Sequence, residues 1–143
     1  MTNGATPTLT AARQRLLEET HNAIVATLQP DGQPQVTPNW YLWDGAAFWV
    51  STLGWTVKVR NVRNDTRVTL CIDSGVSSGH YVQVFGRAEL IEDDVRERTL
   101  TLIRKYRVGE AAVLEHWERI REGRVLIRVH PERWQWRFPE AGD

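Results

Sequence analysis

Ser51-Thr52, a Leu53-Gly54 break, and then Lys58, Arg60 and Asn61 form the segment whose residue types and spacing could do chemistry. Hydroxyls and free backbone amides at a helix start bind anions, and nearby cations add charge. Residues 56–67 carry Lys58, Arg60, Arg63 and Arg67 against the single acid Asp65. Lys58 stands out because the chain has only one other lysine, Lys105, and takes all its remaining basic residues as arginine. A basic helix by itself reads more readily as a solvated face. The neighbouring strands shift that balance, because Trp40, Trp43, Trp49 and Trp55 precede the helix. Aromatic density of this kind lines a core or a pocket for a flat ligand. A flat aromatic ligand with an acidic tail uses both features, with its ring against Trp40 and its neighbours and its tail on Lys58.

Other constellations are scarce. His21, His80, His116 and His130 are far apart and lack metal-ligand spacing, so each reads as a surface or satisfied-core histidine and no metal site is expected. Cys71 lies among Val68, Leu70 and Ile72 and reads as a buried, inert thiol. No nucleophile elbow, P-loop or dinucleotide glycine motif occurs. Asp93-Asp94 reads as helix capping. A hydrolase or kinase is disfavoured.

The elements that must position the segment follow from periodicity. Thr8–Thr20 reads as a helix with Leu9, Ala12, Leu16 and Leu17 at helical spacing and Thr8 or Thr10 as cap. Asn22–Leu28 is a strand buried on both faces, and Gln29–Gly32 is a turn. The chain returns through Gln35–Trp43, turns at Asp44-Gly45 as a two-residue hairpin, and continues as a third strand over Ala46–Ser51. Thr56–Asn64 is a short helix with Val57, Val59 and Val62 apolar and Lys58, Arg60, Asn61 and Arg63 polar. Arg67–Asp73 and His80–Ile91 are strands across a flexible Ser74–Gly79 connection, and Gly86 marks a bulge or barrel bend. A helix begins at Asp93-Asp94, with Val95, Thr99, Leu102 and Tyr106 on one face. A second runs over Glu110–Glu122 with Val113, Trp117 and Ile120. Arg124–His130 is a strand that Pro131 interrupts, and Trp134–Phe138 extends again. About six strands with few helices predict a mainly β fold, an antiparallel sheet closed into a small barrel with flanking helices.

The chain of 143 residues predicts a single domain spanning 1–143, with residues 1–7 flexible. Equal numbers of basic and acidic residues, 18 each, argue against a nucleic-acid binder. No apolar run approaches the roughly 18 residues a membrane span needs, and Met1–Thr10 lacks a signal-peptide pattern, so a cytoplasmic protein with no membrane partner is expected.

The stretch Asn22–Glu89 resembles the pyridoxamine 5'-phosphate oxidase-like split β-barrel proteins, in particular their small bacterial flavin- or deazaflavin-dependent oxidoreductases. The resemblance rests on Ala23–Leu28 followed by Asp31-Gly32, on Pro34–Pro38, on Trp40 with Asp44-Gly45, and on Ser51-Thr52. Its best part is Lys58–Val68, and Gly86–Glu89 and Arg124–Pro131 continue it. Thr66 stands where proline is common, and Thr56 where many relatives carry a second basic residue. Thr37, Pro38 and Asn39 occupy the place of an arginine that flavin-binding oxidases carry. The oxidase's long substrate-binding C-terminal segment is not evident, which disfavours pyridoxamine phosphate oxidation itself. The resemblance implies a homodimer with cofactor sites across the interface. It implies an F420-dependent reductase, with FMN as the alternative cofactor and a non-catalytic flavin- or haem-binding carrier as the alternative of another class. Ser51, Thr52, Lys58 and Asn61 then hold the acidic tail, and Pro38, Asn39 and Trp40 line the ring site. His80 and Tyr81 reach the site from one subunit or the other.

Overall fold

A computed structural model describes residues 8–75 and 78–138. Residues 1–7, expected to be flexible, and part of the Ser74–Gly79 connection lie outside the described residues. Seven strands form one antiparallel sheet: β1 (Ala23–Leu28), β2 (Pro34–Asn39), β3 (Leu42–Trp43), β4 (Phe48–Leu53), β5 (Arg67–Asp73), β6 (Tyr81–Ile91) and β7 (Arg124–Arg137). Their spatial order is β2-β1-β5-β6-β7-β4-β3. Four helices flank it: α1 (Ala11–Glu18), α2 (Val57–Asn64), α3 (Arg96–Tyr106) and α4 (Glu110–Ile120).

The connection from β2 to β3 dictates closure. These strands occupy opposite edges of the sheet, yet only Trp40 and Tyr41 separate them. Three Cα steps of 3.8 Å reach at most about 11 Å. Seven strands laid flat at about 4.8 Å spacing would put those edges nearly 30 Å apart. The sheet must therefore curl until its edges meet, which is the split β-barrel expected from the sequence. The expected continuous strand Gln35–Trp43 is thus two strands on opposite edges, and the third strand pairs with β7, not with β2. The crossing corner is pinned from three sides. Tyr41 Oη donates to the Leu17 carbonyl at 2.7 Å, and Tyr106 Oη donates to the His21 carbonyl at 2.6 Å while accepting from the Tyr41 amide at 3.1 Å. Lys105 Nζ donates to the carbonyls of Leu17 and Tyr41 and sits 3.5 Å from the centre of the Tyr41 ring.

Several boundaries differ from expectation for local reasons. The β3–β4 connection is longer than two residues because Asp44 Oδ1 accepts from the Ala46 and Ala47 amides and Oδ2 from Trp49 Nε1, a side-chain turn that delays the strand to Phe48. α3 starts at Arg96, since Asp94 has a φ of 52° and cannot lie in a helix. β7 runs unbroken through Pro131, which faces Gly86 where the β6–β7 register shifts. A proline there replaces no ladder bond at a bulge. Gly86 leaves the space: a Cβ there would lie 3.1 Å from the His130 carbonyl carbon and closer still to its oxygen.

The barrel interior holds Leu17, Val25, Tyr41, Phe48, Val50, Val59, Leu70, Ile72, Val84 and Ile127, all essentially buried. α3 and α4 enclose a smaller cluster of Leu100, Ile103, Val113 and Trp117. Cys71 is half-buried, because strand alternation sends Leu70 and Ile72 inward and the thiol to the outer face. Burial and the Asp73 carboxylate push its pKa up, which disfavours the thiolate. Among the described residues no helix is long and apolar enough to cross a membrane, and no group of metal-ligating side chains converges.

Candidate functional site

The α3–α4 pair packs beside the C-terminal end of β2 and the start of β7, and between them lies a cavity of about 230 Å³. Pro38, Asn39 and Trp40 form one wall, Ser51 contributes from β4, and Leu102, Ile103, His116 and Ile120 come from the helices. Arg124 closes the remaining side. The Trp40 ring stacks parallel to Tyr106 at 4.6 Å between centroids and packs on His116 at 5.2 Å. These contacts fix the indole with a flat, rigid orientation at the corner where the chain crosses the barrel.

Lys58 is not on a solvated helix face. It is 9% exposed and its Nζ donates to Asn39 Oδ1 at 2.7 Å. Hydrophobicity misplaces the buried stripe of α2, which is Lys58, Val59, Asn61 and Val62, while Val57 is only half-buried. No carboxylate pairs with this ammonium among the described residues. Burial, and then the nearby Arg124 charge, lower its pKa. Ser51 Oγ is buried with no hydrogen-bond partner. A buried hydroxyl and a buried cation, both without an acidic partner, suit an anionic ligand group.

The remaining expected site residues divide. Thr52 is buried and its Oγ1 meets Thr56 Oγ1 at 3.3 Å, so it braces the turn into α2. Asn61 is 2% exposed and donates to Thr27 Oγ1 at 3.0 Å, which ties α2 to β1 and commits its amide away from the cavity. His80 packs edge-on against Phe138, and Tyr81 lines a separate open depression with Cys71, Asp73 and Arg137. Ser51 shares its row with Leu126 and Ile91. Tyr81 lies ten residues further along β6, roughly 30 Å of extended strand. One chain therefore brings Pro38, Asn39, Trp40, Ser51 and Lys58 together, and leaves His80 and Tyr81 apart from them.

The wall supplied by α3, α4 and the start of β7 was missed from sequence. His116 and Ile120 lie four residues apart, a spacing that places both on one helix face beside the core-facing Val113 and Trp117. Burial, then Arg107, Arg119 and Arg124, lower the His116 pKa, so its imidazole is neutral at physiological pH. Arg124 is half-buried and its Nε donates to the Ile120 carbonyl at 3.0 Å.

Residues 9–137 match the sequence family described as pyridoxamine 5'-phosphate oxidase. No curated protein matches the chain. Among solved structures the fold superposes on an F420 reductase with a TM-score of 0.71 at 26% identity, over 89% of this chain and 98% of that one. It superposes on a conserved hypothetical protein from Mycobacterium tuberculosis with a TM-score of 0.74 at 23% identity, covering 95% and 89% of the two chains. General stress protein 26 from Bacillus anthracis gives 0.66 at 19% identity, covering 89% and 92%.

Proposed function

Because the chain belongs to the pyridoxamine 5'-phosphate oxidase family, we propose that it is an oxidoreductase that binds the deazaflavin F420 and moves a hydride to a small conjugated substrate. The observation that carries this reading is Lys58, a buried ammonium with no carboxylate partner among the described residues, beside an indole-walled cavity. The likeness to an F420 reductase over nearly all of that chain supports the same cofactor. Bound F420 would supply the hydride. Lys58 and the Ser51 hydroxyl would hold its acidic tail, with Thr52 bracing the turn and Asn61 fixing the helix that carries the lysine. Pro38, Asn39 and Trp40 would position the ring at the cavity rim, where α3 and α4 exclude water. The chain needs no catalytic triad for this, since the cofactor carries the redox chemistry.

FMN is the alternative cofactor, favoured by the oxidase description of the family. Against it, β2 offers no cation, its sequence being Pro-Gln-Val-Thr-Pro-Asn. A homodimer belongs to this reading as well. The outer face of β2, β1, β5 and β6 presents Val36, Ile24, Ala26, Thr69, Cys71 and Phe85 in adjacent rows, and a second copy covering it could bring His80 and Tyr81 toward the partner's site.

The test is titration of purified protein with F420 and with FMN, followed by mixing with reduced F420 and conjugated acceptors under anaerobic conditions. Binding of F420 with oxidation of its reduced form is the expected result. Tight FMN binding without F420 binding would select the flavin reading. F420 binding with no turnover of any acceptor would make the protein a carrier.

A further inference from the structure

We infer that the cavity behind Trp40 is a subsite for a small planar carboxylate, with Arg124 as its counter-ion. Calling this ligand the substrate rests on the reductase reading; the binding site does not.

Size is the first argument. A dry cavity of about 150 Å³ accommodates benzene. The present cavity of about 230 Å³ therefore admits one substituted ring or a short conjugated chain.

Charge is the second. Arg63, Arg67, Arg87 and Arg104 each meet a carboxylate at the surface. Arg124 is half-buried and meets none among the described residues; its one bond spends Nε on a helix carbonyl. Burial lowers its pKa, yet guanidinium stays charged at any ordinary pH. A half-buried guanidinium that meets no carboxylate among the described residues is open to a ligand that supplies the anion. The guanidinium's terminal nitrogens suit a carboxylate in plane. Around it the walls are Trp40, Leu102, Ile103 and Ile120, apolar surfaces that select a flat, unsaturated body.

trans-Cinnamate and its neutral isostere trans-cinnamide are the probes, read by tryptophan fluorescence or calorimetry on the full chain. Cinnamate should bind the wild type at least about tenfold more tightly than cinnamide, as one charge-assisted contact implies. Arg124→Gln should reduce cinnamate affinity to that of cinnamide. Ile120→Trp, which fills the cavity and removes no charge, should abolish cinnamate binding and keep F420. Equal wild-type affinity for acid and amide overturns the proposal, and that measurement needs no variant to fold. So does an Arg124→Gln protein that loses F420 affinity and keeps cinnamate, because Arg124 then belongs to the cofactor. A wild type that selects cinnamate through Arg124 but binds no F420 upholds the carboxylate site while defeating the reductase reading.

Discussion

Lys58 concentrates the functional argument in one side chain. Its ammonium is buried and donates to Asn39 Oδ1, and its pKa is lowered by burial and by Arg124. Among the described residues this charge has no acid partner, so removing it should not harm the ligand-free protein. Lys58→Met keeps the aliphatic stem and deletes the charge. Its urea midpoint without ligand should equal or exceed the wild type's, whereas its F420 affinity should fall roughly 10- to 150-fold, the effect of a charge-assisted bond of about 1.5–3 kcal/mol. A large loss of stability with unchanged affinity would make Lys58 a structural residue. That Lys58, Ser51 and Trp40 share one region was legible in the sequence, because rare lysine, hydroxyl turn and indole lie within twenty residues. The burial of Lys58 was not. A polar residue on a helix reads as exposed, and only the stripe formed by Lys58, Asn61 and Val62 at helical spacing could have shown otherwise. Arg124 and His116 were missed because their partner in the site, Trp40, is distant in sequence and close only through the barrel.

At the scale of elements, the corner between β2 and β3 holds the barrel closed, and Lys105 is half-buried in it. Burial is the main cause that lowers its pKa from 10.5 to about 8, partly opposed by Glu18. Between pH 8 and 10.5 the unfolded chain thus binds more protons than the folded one, and stability rises with pH across that window. Tyr106 acts in the opposite sense higher up. Burial pushes its pKa up to about 12, so above pH 10 the unfolded tyrosine loses its proton first and stability declines. Urea unfolding at pH 7, 8, 9 and 10 should show a rising midpoint, and Lys105→Met should flatten the rise. The bulge at Gly86 gives a second expectation. Gly86→Ala places a methyl group against the His130 backbone, which cannot swing aside as a side chain could. Overpacking of this kind costs about 1–3 kcal/mol or more, and the loss should appear as a lower thermal midpoint with the far-ultraviolet spectrum preserved. These elements were legible to different depths. Strand alternation placed β5 and β6 well, since apolar and polar residues alternate there, whereas β1, read as buried on both faces, turns Ile24 outward because its Ala-Ile-Val-Ala run shows no polar face. The break at Trp40-Tyr41 was invisible, because both flanking segments are extended and their divergence to opposite sheet edges is a long-range fact. Asp44 shows the same limit locally: the hairpin was legible, but its length was decided by three hydrogen bonds to one carboxylate.

For the whole molecule, the outer sheet face connects fold to function. Curling buries one face of the sheet in the barrel and leaves the other to solvent or to a partner. On β2, β1 and β5 that outer face is not the polar surface expected of a solvated strand pair. Val36 is 56% exposed and Ile24 36% exposed, and the register sets Val36 beside Ala26 and Thr69, and Ile24 beside Pro38 and Cys71. Phe85 continues the row opposite Thr69 and is covered by Arg133 at 4.0 Å. Charged residues lie toward its margins, at Arg67 and Arg87, which is the arrangement of an apolar centre with a polar rim. Twofold pairing across this patch is self-complementary, since each copy offers the same rows. Pro38 belongs both to the patch and to the cavity wall, so pairing there would place the partner at the mouth of the site. Light scattering at low micromolar concentration should therefore give twice the chain mass. Val36→Glu sets like charges against each other across the twofold and should yield a monomer with an unchanged circular dichroism spectrum. That monomer should bind F420 more weakly than the dimer if the partner completes the site. A wild type that scatters as a single chain, or a Val36→Glu protein that stays dimeric, would move the interface elsewhere and leave His80 and Tyr81 without a route to the cofactor.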